Sequence, residues 1–290
     1  MKWQHHLMAL AVVTIWGVNF SVVKVGLQDY PPILFSGVRF LLVAIPAVFF
    51  VPFPKTSVWN VVAVGVFLGI FKFSLLFFAM RADISAGLAS LVLQVQVFFT
   101  IGLSIVFFKE YISQIQIAGI CIALVGFMVF FGYAGSNVTV NGLVMVIGAA
   151  IFWALSNVIM KKMAGVNLLH FFVWLSVIPP IPLFVLSYFF ETNDPLSRIT
   201  ETTFTSWVAA LYVSYMSTLL AFALWGYLLR AYSAAMVTPF ALLIPVVGMV
   251  TSWFLLGETI SPYEMAGAAC ILTGLVWCVL GNKILMKVRG

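Results

Sequence analysis

Charge is what this sequence has least of: 8% of its 290 residues are charged, against 64% hydrophobic, and the mean hydropathy is +1.17. No water-soluble surface can be built from that composition. Cysteine is sparse, and Cys121, Cys270 and Cys278 all fall inside apolar runs, where they behave as small apolar residues. They indicate neither a disulfide framework nor a metal site, and nothing else implies a cofactor. The only histidines, His5, His6 and His170, sit at the ends of apolar runs, so no buried His–Asp or paired-carboxylate constellation for an embedded enzyme is available. Carboxylates are the sharpest lack. No Asp or Glu falls in the middle of any apolar run, which argues against a hydrophobic-cation pump of the kind that relies on an embedded acid. The net charge of +6 does not point to nucleic acid, because the basic residues are scattered and mark the ends of runs.

What is present is apolar sequence almost from end to end. A bilayer core of roughly 30 Å takes about 20 apolar residues per helix, and ten such segments are expected near 6–27, 32–53, 58–80, 86–108, 113–133, 142–163, 168–190, 206–230, 235–256 and 262–283. The first could pass for a signal peptide, but its apolar run continues through Phe20 without an A-x-A-like cleavage site, so it is kept as a span. The breaks have local causes: Pro31-Pro32, Pro52 with Pro54, the stretch Tyr133–Asn141 and the polar loop 191–203. Ser113 with Gln116, and Ser261 with Pro262 and Glu264, read as capping boxes that start helices. With the N-terminus inside, nine basic residues lie on the inner side and Lys24, Arg81 and Arg198 on the outer, which predicts N-in and C-in. Trp3, Trp59, Trp207, Tyr111 and Tyr263 read as interface anchors.

The chain repeats itself. The stretch beginning at Phe108 and the one beginning at Leu256 share Glu110/Glu258, Ile112/Ile260, Ser113/Ser261, Ala118/Ala266, Gly119/Gly267, Leu124/Leu272 and Gly126/Gly274. Five predicted spans separate the copies, an odd number, so they must face opposite ways, as in the inverted repeats of secondary transporters. The expected fold is all-α: two inverted five-helix repeats at 1–133 and 142–290 joined by a linker at 134–141, with a cavity on their shared axis.

Candidate cavity residues follow from helical spacing. Trp16 and Asn19 share a face of the first span, as Trp153 and Asn157 do in the sixth; the amides either bond between helices or face a wet cavity. Gln94 and Gln96 lie about 200° apart on a helix, so one lines the path and the other ties the fourth span to a neighbour. Tyr212 belongs to an aromatic stripe on the eighth span that serves packing or binding. Lys24, Arg39 and Lys72 are basic residues within or closing spans, each costing ~2.5–3.5 kcal/mol at the bilayer centre on insertion scales. They either form a patch that attracts an anionic group or snorkel to the headgroups. Lys72 is the deepest and shares a face with Gly65 and Gly69, which admit a neighbour or leave open space. Pro239 and Pro245 in the ninth span are candidate gating positions; Leu91 and Val97 stand in their place in the fourth, so the halves are expected to bend unequally.

These residues resemble the drug/metabolite transporter superfamily in its EamA-type branch. The likeness is carried by W-G-x-N-F at 16–20, P-P at 31–32 with R-F at 39–40, A-G-L-A-S-L-V-L-Q at 86–94, the repeated glutamate-to-glycine motif, and L-L-I-P-V-V-G at 242–248. It covers essentially the whole chain and is far more specific for family than for substrate. Trp16, Asn19, Arg39, Gln94, Trp153, Asn157 and Pro245 match its pattern; Lys72 has no counterpart there. The resemblance implies a multi-pass carrier of the bacterial inner membrane, surrounded by lipid, that exports amino acids or related zwitterionic or anionic metabolites by alternating access. The alternatives are a carrier of phosphorylated or sugar-linked metabolites and, more remotely, a membrane-embedded enzyme or scaffold. The sequence sets no oligomeric state.

Overall fold

The computed structural model describes residues 1–132, 138–163, 165–232 and 234–289, in which the regular structure is helical, with one isolated β-bridge between Ile84 and Val138. The helices are α1 Trp3–Gly26, α2 Pro32–Phe49, α3 Val58–Ala82, α4 Ala86–Phe108, α5 Gln114–Gly132, α6 Val140–Lys161, α7 Leu168–Leu175, α8 Pro180–Phe190, α9 Pro195–Thr200, α10 Phe204–Ala231, α11 Ala234–Val237, α12 Thr238–Leu256 and α13 Pro262–Arg289. Among the described residues eight are long and apolar enough to cross a membrane, or nine if α7 and α8, bent by 40°, make one span; Gln114–Val129 is a shorter apolar helix. Most of the Tyr133–Asn141 break lies outside the described residues.

Local chemistry sets the helix starts. In both expected capping boxes the bonds are reciprocal: Ser113 and Gln116 exchange backbone-to-side-chain bonds of 3.0 and 3.2 Å, and Ser261 and Glu264 do so at 2.7 and 3.2 Å. The repeated glycines have a tertiary purpose. A Cβ on Gly119 would lie 2.7 Å from the Gly274 carbonyl oxygen, and one on Gly126 would lie 2.7 Å from that of Gly267. The two copies of the motif therefore pack α5 directly on α13, backbone against backbone, as small residues allow in lipid.

The interior departs from ideal helix at matched places. Gly65–Lys72 in α3 and Tyr212–Leu220 in α10 are π-helical, and they align at the offset that superposes Glu110 on Glu258. π-turns free backbone carbonyls and cluster at functional sites. The α4 helix tightens to a 3₁₀ turn at Leu93–Val95, and α12 starts with one at Thr238–Leu243. The fourth span thus departs from the α-helix without any proline, over three residues against six in α12, where Pro239 lies. Pro245 lies in the first turn of the α-helical part of α12, where its missing N–H costs little. Gly65 and Gly69 do not leave open space beside Lys72. A Cβ on Gly69 would sit 2.3 Å from Pro179 Cγ, and one on Gly65 would sit 2.9 Å from Ile178 Cβ, so the α7–α8 bend fills that face.

The two ends of the bundle differ in charge. Asp29 bonds Thr203, Asp83 bonds Thr139, and Glu191 caps α2 at Ile33 and Leu34, all at one end, together with Glu258. There Thr203 and the neighbouring Ser206 hold the Asp29 carboxyl below its ordinary value. Of the eight acidic residues only Glu110 lies at the other end, beside Lys161. One end of the bundle is thus acidic and the other basic. Trp3, Trp59, Tyr111 and Tyr263 are exposed near span ends, whereas Trp207 is half-buried and meets Tyr30 edge-on at 6.2 Å.

Candidate functional site

Two cations occupy the interior of the bundle. Arg39 is 4% exposed and Lys72 5%. Both lie over the same ring: Arg39 Cζ is 3.9 Å from the Phe73 centroid and Lys72 Nζ 3.4 Å from it. Phe40 gives Arg39 a second aromatic face at 4.6 Å, and Trp153 gives one to Lys72 at 4.8 Å. Such faces attract cations through the ring quadrupole, by about 2 kcal/mol when desolvated. Arg39 donates to Thr218 Oγ1 at 3.1 Å, while its Nε finds no partner. Lys72 Nζ has no hydrogen-bond acceptor among the described residues, and no carboxylate bonds either cation.

The π-turn of α10 organises the neighbourhood. Its Ser217 carbonyl accepts from Trp16 Nε1 at 2.9 Å, and its Ser214 hydroxyl donates to the Arg39 carbonyl at 3.0 Å. Its first residue, Tyr212, donates to the Ile15 carbonyl at 3.0 Å. One wide turn thus holds the α1 indole and the α2 guanidinium, and Tyr212 serves as a helix tie. The Trp16 ring packs on Phe222 and Trp225, at 5.1 and 5.3 Å.

A second contact crosses between the repeats: Asn157 Nδ2 donates to Gln96 Oε1 at 2.7 Å and to Thr100 Oγ1 at 3.1 Å. Gln96 is the glutamine that ties α4 to α6. Gln94 is buried in the 3₁₀ turn, its carbonyl accepting from the Gln96 N–H, and its side-chain amide makes no hydrogen bond among the described residues. Asn19 Oδ1 is also buried without a donor. Lys24 neither joins the cations nor snorkels: it donates to the Met80 and Ile84 carbonyls and closes the end of α3. A separate concavity of about 370 Å³ lies outside this region against α12 and α13, lined by Val246, Met249, Trp253, Met265 and Leu272; none of the candidate residues lines it. Among the described residues no three His, Cys, Asp or Glu side chains gather to hold a metal. Sequence reasoning missed Phe73, Ser214, Ser217 and Thr218. The π-turn that presents the last three leaves no periodicity to read.

The α4 helix is packed unequally along its length. Every residue from Ala86 to Val95 is buried, but only Ser104 from Gln96 to Phe108, and none from Thr238 to Leu243 of α12. At the acidic end the Glu258 carboxylate accepts from the Ala86 and Gly87 N–H groups, at 2.8 and 3.1 Å, and α4 lies on α12 so closely that a Cβ on Gly87 would meet Ser252 Oγ at 2.4 Å. At the basic end Glu110, its repeat mate, is paired with Lys161 at 2.6 Å instead, and a Cβ on Gly102 would meet nothing within 4 Å.

The model of the EamA-like transporter family matches residues 3–132 and again 140–280. The chain belongs to that family. This EamA-like transporter is 37% identical over 289 residues to a "probable amino-acid metabolite efflux pump" of Salmonella typhimurium, covering 97% of each chain, and 36% identical to the protein of that description in Escherichia coli K12, covering 96% and 95%. It is 25% identical to the E. coli inner-membrane transporter YedA over 94% of its length. A crystal structure with 16% identity superposes with a TM-score of 0.67 over 98% of this chain and 99% of the other, which supports the fold alone. The EamA-like transporter is thus a multi-pass inner-membrane protein and not an enzyme, and two copies of the family repeat make up its bundle.

Proposed function

We propose that this transporter exports small carboxylate-bearing metabolites, most simply amino acids and their derivatives, by alternating access between two inverted five-helix repeats. The observation that carries this reading is the unequal state of the two symmetry-related glutamates. Glu258 seals α4 to the α12–α13 connection at the acidic end, while Glu110 pairs with Lys161 at the other, where the second half of α4 is largely unburied. One end closed and the other open is what a carrier needs in each of its two states.

Counting α5 and the α7–α8 pair as spans gives ten, with the repeats divided near residues 134–141. The excess of Lys and Arg at the basic end favours that end as cytoplasmic, so that the conformation described is open to the cytoplasm. The relatives named as amino-acid metabolite efflux pumps support this direction and substrate class. Trp16, Asn19, Arg39, Lys72, Trp153 and Asn157 surround the path, Lys72 meeting the carboxylate; Gln94 and Tyr212 support it, and Pro239 and Pro245 allow α12 to bend.

The test is counterflow in proteoliposomes, with one unlabelled amino acid at a time inside and a labelled one outside. Exchange by some amino acids and not others is expected. No exchange across the panel by folded protein would overturn the amino-acid reading and favour phosphorylated metabolites or other small solutes.

A further inference from the structure

Arg39 and Lys72 carry two formal positive charges into a region where the described residues offer no carboxylate. Placing even one such charge at membrane depth costs several kcal/mol unless it is paired. The protein supplies part of the compensation through Phe40, Phe73, Trp153 and Thr218. It leaves the rest undone. Arg39 Nε is buried without an acceptor, and so is the hydroxyl of Ser36, one turn earlier on the same helix and fully buried. Each unmet buried donor costs about 1–3 kcal/mol. What is missing is an acceptor with negative charge and more than one oxygen.

We propose that Arg39 and Lys72 form a single two-cation subsite and that the transported species carries net negative charge, with a second anionic group or a blocked amine, rather than being a neutral zwitterion. This builds on the carrier reading above and narrows its substrate class. The argument is one of charge balance. A zwitterion brings no net charge, so the loaded site stays doubly positive; a monoanion halves that excess, and a dianion removes it. Selection therefore follows net charge more than side-chain shape. The empty carrier, left with both cations uncompensated, reorients slowly, so that exchange outpaces net efflux.

Binding and transport separate the two claims. Thermal midpoints of the purified full-length protein are measured at constant ionic strength with glutamine, glutamate and N-acetylglutamate, in wild type, Lys72→Met and Arg39→Gln. Lys72→Met removes a buried charge and should fold well. The expected result is stabilisation that rises along the series, with apparent affinity increasing about tenfold or more from glutamine to N-acetylglutamate, and a series that flattens in both variants. Equal response to all three ligands in wild type, or a charge preference that survives both substitutions, would overturn the subsite. The same series is then run in counterflow. Anion-dependent stabilisation that needs Lys72, with no counterflow by any amino acid or derivative, would sink the amino-acid carrier reading and leave the subsite standing. Counterflow that ignores net charge would do the reverse.

Discussion

The Glu258 carboxylate accepts a hydrogen bond from the Ala86 N–H at 2.8 Å, which ties the α12–α13 connection to the first turn of α4. A charge at a helix N-terminus is favourable by about 0.3–1 kcal/mol, and up to about 2 in partly buried geometry. Glu258→Gln keeps one acceptor and loses the charge. We expect a thermal stability lower by about 1 kcal/mol and faster modification of a cysteine placed at buried Ser90, by a membrane-impermeant maleimide added from the acidic side. Unchanged modification would mean that Glu258 does not hold that end shut.

The glycines of the repeated motif predict a contrast. Gly119→Ala places its Cβ 2.7 Å from both the Gly274 carbonyl oxygen and the Cys278 nitrogen, contacts that backbone cannot yield. Overpacking of this kind costs about 1–3 kcal/mol. Gly102→Ala meets nothing and should be neutral or slightly stabilising. Monodispersity and thermal midpoint in detergent check both, and equal behaviour of the two variants would contradict the α5–α13 contact.

Asn157 and Gln96 should couple. Either alanine substitution leaves a polar partner unmatched in the bundle, at a cost of about 1–3 kcal/mol, so the double variant should be less destabilised than the two single ones together. Strict additivity in a double-mutant cycle would remove the 2.7 Å bond from the account of α4 and α6.

Sidedness follows from exposed positions at the two ends. In a chain with Cys121, Cys270 and Cys278 replaced by alanine, Lys55→Cys and Glu201→Cys should react from opposite faces of the membrane, Glu201→Cys from outside intact cells. Reaction of both from one face would contradict the inverted arrangement.

Sequence alone determined the membrane class, the apolar helical segments, both capping boxes and the repeat, because apolar run length and first-turn capping are local properties. It also singled out Arg39, Lys72, Trp153 and Asn157 by residue type and spacing. It could not decide which faces meet, because segments apolar on nearly every side carry little directional signal. Only the packed structure set the Phe73 ring against both Arg39 and Lys72, gave Asn157 to Gln96 rather than Gln94, and filled the Gly69 face with Pro179. The π-turns and the unequal roles of Glu110 and Glu258 are likewise tertiary. The repeated motifs end in different bonds, Glu258 on the Ala86 and Gly87 N–H groups and Glu110 on Lys161, because the partner each carboxylate meets is set by how the helices pack and not by the motif.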